Sequence, residues 1–584
     1  MKNLIIIVSI CMICAMTTSC EKTMGTFLDK PPGVDVTEDT IFSNKTQVET
    51  FVASIYQYGV HSHMGFGTGT ANNDRGMFCS SSNEAEACAN WYSSQKWNAG
   101  TITADNTNDG RWSTRWTAIR KVTVFLDRID AATGTDLDAA YKNQVKGEAL
   151  FIRALNYFEM FKRYGGVPII KTRIQLSDNF SIPRSALQEV LDFILADCDA
   201  AADLLPDSYT TNFRGRATKG AVLALKAKTL LYAASPRFNT ATPYLDNGDN
   251  NKLICLGNTD VTMWQKAADA AKAVLDWAPS GGIALITDKG MTANYRYQWE
   301  QYDNSEIIFA TKSQGEMGTW GAPWGDMSPV GVYDASSGQT GTTVTLNFVR
   351  KYENADGTPA IWNPNGGFDL QAKMAGLDPR FAQTIAYNMS YWNSQKPQIQ
   401  IWQAATGVPV GVNTNTSFGG FWLHKFYPAA INSNTTWQWA PECTLFELNE
   451  DYLIYAEALN EALGGPNQAA YDAVNAIRAR SGMPPLPAGL SQADFRTRVR
   501  NEWDVELSFE DTHFFNVMRW LTAETEGEMQ GAMYGIKIYK IANSTEFQYV
   551  PYVFETRTWV RRMYLMPFST GEIKKGYLIQ NPGY

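Results

Sequence analysis

The sequence predicts a mainly α-helical protein, in which a tetratricopeptide-like scaffold of helix pairs is interrupted by a long, irregular, tryptophan-rich insertion. Two observations predict this fold class. Alanine-rich segments with apolar residues at helical spacing recur before residue 281 and after residue 440. Between residues 281 and 440, Gly, Asn, Thr, Ser and Trp dominate and the periodicity is weak. We therefore expect the scaffold in residues 20–280 and 441–584, ending in a closing segment, and a ligand-binding portion in residues 281–440.

The amino terminus carries an apolar stretch that ends at Cys20. Residues 4–16 have the length of a signal peptide and are too few for a transmembrane helix, which needs about 20 apolar residues. A small residue, Ser19, directly precedes Cys20. The pattern predicts a lipoprotein signal peptide in residues 1–19, with lipid attachment at Cys20. An ordinary secretory signal cleaved near Ala15 or Ser19 is the alternative.

The strongest helical pattern is "QVKGEALFIRALNYFEMFKRYGGVPII", residues 144–170. It keeps apolar residues such as Ile152 and Phe158 on one stripe, and the glycine pair 165–166 ends it. A second pattern, "RATKGAVLALKAKTLLYAASPRF", ends before Pro236, and its alanines allow a neighbouring helix to approach closely. The other predicted helices cover 41–58, 114–130, 185–204, 262–277, 444–463, 467–480 and 492–510.

Helix pairs are indicated by short turns between helical patterns. "GGPN" joins 444–463 to 467–480, and "YLIYAEALNEALGG" and "WQKAADAAKAVL" have the small-residue texture of tetratricopeptide hairpins. No clean 34-residue period is visible, so we expect any repeats to be degenerate and dispersed.

Two loop regions carry the aromatic residues expected to bind a ligand. A sugar ring has an apolar C–H face and a hydroxyl rim, so a carbohydrate site needs flat aromatic platforms beside amides and acids. "SSSNEAEACANWYSSQKWN" and "GEMGTWGAPWGDM" offer this mixture. We predict that loops 79–116 and 291–326 face one shallow site, although any single Trp can equally serve as core packing. The predicted ligand-binding residues are Asn83, Glu84, Trp91, Tyr92, Trp97, Asn98, Trp299, Trp320 and Trp324.

Composition excludes several other classes of function. The net charge of −9 leaves no basic stripe for a nucleic acid. No H-E-x-x-H or G-x-S-x-G motif appears, so the sequence predicts no enzyme, and carboxylate pairs such as Glu84 with Glu86 leave a glycoside hydrolase as a minor alternative. We expect no metal and no cofactor. The stretch 105–110 begins like a calcium loop, but its twelfth position falls on Trp116, so a turn is expected there and a structural calcium is the alternative.

Eight cysteines occur in the sequence, three of them in the first 20 residues. Cys79 and Cys88 are close enough along the chain to form a disulfide in an oxidising compartment. Spacing alone does not define the connectivity, so the pairing is one possibility among several.

Five blocks in order along the chain resemble the RagB/SusD family of Bacteroidetes surface lipoproteins. They are "FLDKPPGVDVTEDTIFSN", "RALNYFEMFKRYGGVPII", "ATKGAVLALKAKTLLYAASPRFN", "RARSGMPPLPAGL" with "RVRNEWDVELSFEDTHFFNVMRW", and "YLMPFSTGEIKKGYLIQNPGY". The fourth block departs from the family pattern at Trp503, Asp511, Thr512 and His513 and keeps Arg519 and Trp520.

The resemblance implies a SusD-like helical scaffold and a non-catalytic, glycan-binding protein at the cell surface. It also implies an outer-membrane lipid anchor and a partner, a SusC-like TonB-dependent transporter on which the lipoprotein sits as a lid. Some relatives bind peptides instead of glycans, so peptide capture by the same scaffold is the alternative function.

Overall fold

The computed structural model describes residues 38–61, 78–87, 94–107, 109–210, 213, 215–312, 342–414, 419–427 and 442–584. The fold is mostly helical, which confirms the predicted class. Its longer helices are α1 (Lys45–Gly59), α2 (Trp112–Arg128), α3 (Ala139–Tyr164), α4 (Leu187–Leu204), α5 (Lys219–Ala234), α6 (Thr262–Trp277), α7 (Leu448–Leu463), α8 (Gln468–Arg480), α9 (Gln492–Glu506) and α10 (Thr512–Trp520).

Shorter helical segments connect these elements. The short α-helices are Glu38–Ile41, Ser94–Asn98, Asn294–Glu300, Leu346–Val349, Leu370–Ala375, Arg380–Thr384 and Thr570–Ile573, and the 3₁₀ helices are Cys79–Ser81, Gly248–Leu253 and Arg561–Tyr564.

Helix α3 is the central helix of the scaffold, and local chemistry defines both of its ends. The Asp138 side chain accepts a hydrogen bond from the Tyr141 amide at 2.8 Å, which satisfies one of the unpaired N–H groups of the first turn. Gly165 follows the last turn with φ of +79°, a conformation that glycine adopts without strain. A Cβ there would also lie 2.5 Å from the Leu253 carbonyl oxygen, so both space and conformation require glycine.

The helices pack as a continuous stack in which one neighbour is distant in sequence. Helices α2, α3, α4, α5 and α6 pack each on the next, and α6 then packs directly against α7, which begins about 170 residues later. The intervening residues are therefore an insertion between two adjacent members of the stack. The pairing of α7 with α8 agrees with the hairpin expected from "GGPN".

Eight strands pair in twos, all antiparallel. They are β1 (Ala85–Ala87) with β3 (Thr342–Val344), β2 (Ile307–Thr311) with β6 (Cys443–Glu447), β4 (Ile385–Ala386) with β5 (Trp422–Leu423), and β7 (Gly531–Lys540) with β8 (Phe547–Arg557), counted over the described residues. The sequence pattern did not predict the long β7–β8 hairpin. Strand β6 also takes the first residues of the helix predicted at 444–463, which begins at Leu448 instead.

Strands β2 and β6 form a neck for the insertion. Ile307 lies opposite Glu447 and Thr311 lies opposite Cys443, so the chain leaves and returns at the same place. Beyond the neck, Lys312 pairs with Asp303 at 2.7 Å and with Glu442 at 3.1 Å. The insertion is thus closed at its base by a strand pair and an ion cluster.

Two hydrophobic cores divide the molecule. The first is the helical scaffold, and the second is built largely from residues 344–427 together with strand β1 and the β7–β8 hairpin. Buried aromatic side chains dominate the second core, among them Trp392, Trp402 and Trp422. Much of the tryptophan enrichment of residues 281–440 therefore serves packing, because a region with little regular structure needs large side chains to exclude water.

A buried ionic network joins the two cores, and we call it the junction network. Glu506, at the end of α9, accepts hydrogen bonds from Arg480 of α8, from Arg380 at 2.8 Å and from Asn449 at 2.9 Å. Arg380 also pairs with Asp378 at 2.7 Å. Burial alone would raise the pKa of Glu506, but the two arginines lower it to about 2.

Neighbouring residues extend the same network. Arg478 pairs with Glu353 of the insertion and with Glu502 of α9, both at 3.0 Å, and Arg480 also pairs with Glu306. Side chains of the insertion thus form ion pairs with oppositely charged side chains of helices α8 and α9.

None of the helices among the described residues is long and apolar enough to cross a membrane.

Glu506→Gln is expected to lower the free energy of unfolding by about 3–5 kcal/mol, because it leaves buried arginines without part of their counter-charge. Urea denaturation of the purified chain measures the change. Asp276→Asn is the matched control, since Asp276 pairs with Lys272 at an exposed position, and it should cost less than about 1 kcal/mol. Equal losses in both variants would contradict the role assigned to the junction network.

Candidate functional site

The segment 79–87, at the start of the first predicted binding loop, is fixed by one buried arginine. The Arg557 guanidinium donates to the carbonyl oxygens of Ser82 and Ala85, the latter at 2.9 Å, and pairs with the Glu86 carboxylate. Arg557 also pairs with Glu555 at 2.9 Å. Because guanidinium donors have a fixed geometry, this arrangement defines the path of the segment.

Two amide side chains hold together the ends of the segment 88–93. Gln95 donates to the Ala87 carbonyl oxygen at 2.7 Å and to the Glu86 carboxylate. Asn98 donates to the Ser80 carbonyl oxygen and to Glu86, both at 3.1 Å. The residue before this segment and the short helix after it are therefore joined directly.

Asn83 and Glu84 connect the same segment to distant parts of the chain. The Asn83 amide donates to the Gly527 carbonyl oxygen at 2.9 Å and to Glu528 at 3.0 Å. The Glu84 carboxylate accepts from the Phe509 amide at 2.7 Å, and its own carbonyl oxygen accepts from the Thr345 amide at 3.2 Å. Both side chains are buried and hydrogen-bonded to the protein, and the Asn83 Oδ1 has no hydrogen-bond partner among the described residues.

Strands β1 and β3 bring residues 85–87 of the first predicted binding loop beside residues 342–344, which lie beyond the second predicted loop, 291–326. Ala85 lies opposite Val344, and Ala87 lies opposite Thr342. Gly419 packs beside β3, where its amide donates to the Thr343 hydroxyl at 3.2 Å and a Cβ would lie 2.1 Å from the Val344 carbonyl oxygen. We call this place the β1–β3 seam. The segments 88–93, 313–341 and 415–418 each begin or end there in the sequence.

Trp97 and Trp299 lie inside the protein. Trp97 packs edge-on against Phe514 at 5.2 Å between ring centroids and stacks with Trp559 at 6.5 Å. Trp299 meets Phe426 at 6.0 Å, with the Arg296 guanidinium 4.9 Å from its ring. Their ring faces are therefore covered by neighbours.

The predicted site residues thus separate into two sets. Asn83, Glu84, Trp97, Asn98 and Trp299 are buried and contact other parts of the protein, so none of them is an open platform among the described residues, and a role in ligand binding stays a prediction. Trp91, Tyr92, Trp320 and Trp324 lie outside the described residues, and their role stays a prediction. The same holds for Cys20, and for a disulfide between Cys79 and Cys88, because Cys88 lies outside the described residues. Arg557 and Gln95 were missed, and nothing local in the sequence marks them.

Comparison with known proteins identifies the family. A model described as the SusD family matches residues 305–584, and one described as "Starch-binding associating with outer membrane" matches residues 26–231. The chain belongs to the SusD/RagB family. Its match to SusD-like protein P25 of Formosa agariphila has 21% identity and covers 89% of this chain and 90% of that protein. Its match to a SusD-like protein of Bacteroides ovatus has 22% identity and covers 53% of this chain and 54% of that protein.

Solved structures of SusD-like proteins share the fold. A SusD-like protein from Bacteroides fragilis superposes with a TM-score of 0.75 at 25% identity, covering 95% of this chain and all of the other. A laminarin-binding SusD-like protein superposes with a TM-score of 0.61 at 19% identity, over 93% of this chain and all of the other.

His513, one of the departures from the SusD/RagB pattern, lies beneath the seam. Its Nδ1 is 2.6 Å from Asp504 and its Nε2 is 3.2 Å from Glu528, the carboxylate that also binds Asn83. Lys351 pairs with the same two carboxylates at 2.8 and 2.9 Å. Burial alone would lower the pKa of His513, but Asp504 and Glu528 raise it to about 10.

The other charged groups of the seam, Glu86 and Glu84, are also buried. Burial raises the pKa of Glu86 to about 8 even though Arg557 lies beside it, since Glu555 shares the same arginine. Burial likewise raises the pKa of Glu84. Within the described residues, no group of three or more His, Cys, Asp and Glu side chains could hold a metal ion. The described part of the seam is therefore a rigid base for the loops that leave it.

Arg557→Lys is expected to lower the free energy of unfolding by about 2–4 kcal/mol, because a lysine cannot replace several fixed guanidinium donors in a buried site. Hydrogen exchange should also become faster across residues 79–87. Arg561→Lys is the control, since Arg561 is exposed, where it pairs with Glu524 at 3.3 Å and donates to the Tyr244 carbonyl oxygen at 2.9 Å. Unchanged exchange at 79–87 in Arg557→Lys would contradict the fixing role.

His513→Gln is expected to change the alkaline stability profile. A pKa raised to about 10 contributes stability that is fully present below pH 6.5 and is lost as pH rises to 10. The stability difference between the original protein and this variant should therefore shrink across that window in urea titrations.

His424 provides the control for this pH profile, because burial and Arg296 lower its pKa to about 3. His424→Gln should alter the profile only below pH 6.5. A difference for His513→Gln that stays constant from pH 6.5 to 10 would overturn the assignment of a charged His513.

Proposed function

We propose that this protein binds oligo- or polysaccharides without catalysing a reaction, at a site formed over the β1–β3 seam. The observation that carries the proposal is the pairing of Ala87 with Thr342. Residues 88–93, with Trp91 and Tyr92, follow Ala87, and residues 313–341, with Trp320 and Trp324, precede Thr342. Two segments that carry aromatic residues thus adjoin, at one end each, neighbouring positions of the described structure.

The proposed ligand class follows from residue chemistry and from relatives. Indole rings stack on the apolar face of a sugar, while amide and acid groups of the loops form hydrogen bonds with its hydroxyl groups. The description of one matching family model as starch-binding and the laminarin-binding neighbour both support a glycan. We expect modest affinity for a single site, with Kd in the micromolar to millimolar range, or about −4 to −8 kcal/mol.

The carboxylates considered for a glycosidase support binding without catalysis. Glu84 accepts a hydrogen bond from the Phe509 amide, and Glu86 pairs with Arg557. A glycosidase needs two carboxylates that both face the scissile bond. These groups instead contact protein donors in the interior.

The route of the captured glycan is part of the same proposal. A lipid on Cys20 would hold the protein at the outer membrane, beside a SusC-like TonB-dependent transporter. Tethering gives the pair a high effective concentration, so delivery would not require tight binding to either partner. Peptide capture at the same site is the alternative.

Affinity electrophoresis of the chain from Glu21 onward, in native gels that contain single soluble polysaccharides, tests the proposal. We expect retardation in at least one gel. Replacing both Trp320 and Trp324 with Ala should abolish most of it, because it would remove the two flat apolar platforms on which the sugar is proposed to stack. Trp264→Ala, on the scaffold helix α6, is the control and should keep the retardation.

Two other outcomes would point to a different glycan site or to peptide capture. Retardation that survives the double substitution would place the glycan site elsewhere. No retardation in any gel, together with a tryptophan fluorescence change on adding oligopeptides, would favour peptide capture.

A further inference from the structure

A cavity lies at the surface of the scaffold, and its lining residues are not part of the β1–β3 seam. Helix α2 forms one wall, residues 168–182 form another, and residues 572–577 close the third side. Its volume is about 340 Å³. None of its lining residues belongs to the groups that fix the seam. We call it the α2 pocket.

The body of the α2 pocket is apolar and partly aromatic. Trp112 and Trp116 line the helix side, where their rings meet edge-on at 5.4 Å, and isoleucines such as Ile170 and Ile182 line the opposite wall. Phe180 stands at the entrance with 55% of its surface exposed. Such a surface binds the flat apolar part of a small molecule.

The polar groups of the α2 pocket are mainly hydrogen-bond donors. Among the described residues of the lining, Arg120, Arg173 and Lys575 supply three cationic side chains, and Glu572 is the one acid. Glu572 is already engaged by Lys575 at 2.8 Å. Asp127, outside the lining, pairs with Arg173 at 3.7 Å. Because cations outnumber acids in this lining, the pocket favours a ligand that brings negative charge, which an unsubstituted sugar lacks.

We propose that the α2 pocket binds a compact amphipathic carboxylate, with an aromatic body and one carboxylate group. The body would lie between the tryptophans and the isoleucine wall, and the carboxylate would face Arg120 and Lys575. A cavity of about 150 Å³ holds one benzene ring, so a pocket of this volume suits a body of two fused rings. This binding is independent of the glycan function.

The test uses the chain from Glu21 onward and 2-naphthoate as the probe, with 2-naphthalenemethanol as a neutral molecule of nearly the same shape. Isothermal titration calorimetry at pH 7 should give a Kd for the carboxylate at least about tenfold lower than for the alcohol, since charge-assisted hydrogen bonds are the stronger ones. Equal affinities, or no binding of 2-naphthoate, would overturn the proposal.

Matched variants locate the binding. Phe180→Ala should weaken 2-naphthoate at least fivefold, whereas Phe368→Ala, which removes a ring with 57% of its surface exposed elsewhere, should leave it unchanged. Arg120→Gln should reduce the preference for the carboxylate over the alcohol, with Arg561→Gln as its control. Wild-type affinity in Phe180→Ala, or equal losses in both phenylalanine variants, would overturn the assignment to this pocket.

Discussion

The charge balance around Glu506 is the constraint on which the rest of the structure depends. The insertion has little regular secondary structure, and it meets the scaffold through arginines and carboxylates that are almost entirely buried. Each buried charge is tolerated only because its partner is in place, and removal of one partner is far more costly than loss of a surface pair. The network therefore fixes how the insertion sits on helices α8 and α9.

This fixed placement makes the seam possible. Strand β1 comes from the N-terminal part of the chain and β3 from the insertion, and they can pair only if the insertion is held in one position on the scaffold. Buried polar residues complete the arrangement, with Arg557, Gln95 and Asn98 fixing the segment that begins at Cys79. These contacts fix the described residues that flank the proposed glycan site.

Sequence reasoning was accurate where periodicity is local. The prediction of a helix at 262–277 is confirmed residue for residue, and the predicted termination of α3 at the glycine pair is also confirmed. It was less accurate where a pattern has two explanations. Clusters of tryptophan in loops predict a ligand platform and an aromatic core equally well, and Trp299 proved to be interior. The β7–β8 hairpin was missed because its apolar residues alternate only in part.

The sequence by itself determined the helical class, the positions of most helices and the resemblance that the family comparison confirmed, because helical periodicity and block motifs are carried by neighbouring residues. Only the tertiary structure decided which loop residues are buried. Asn83 and Glu84 take partners 444 and 425 positions away in the chain, so no local pattern could have revealed their role. Burial depends on such distant contacts, which the local sequence does not carry.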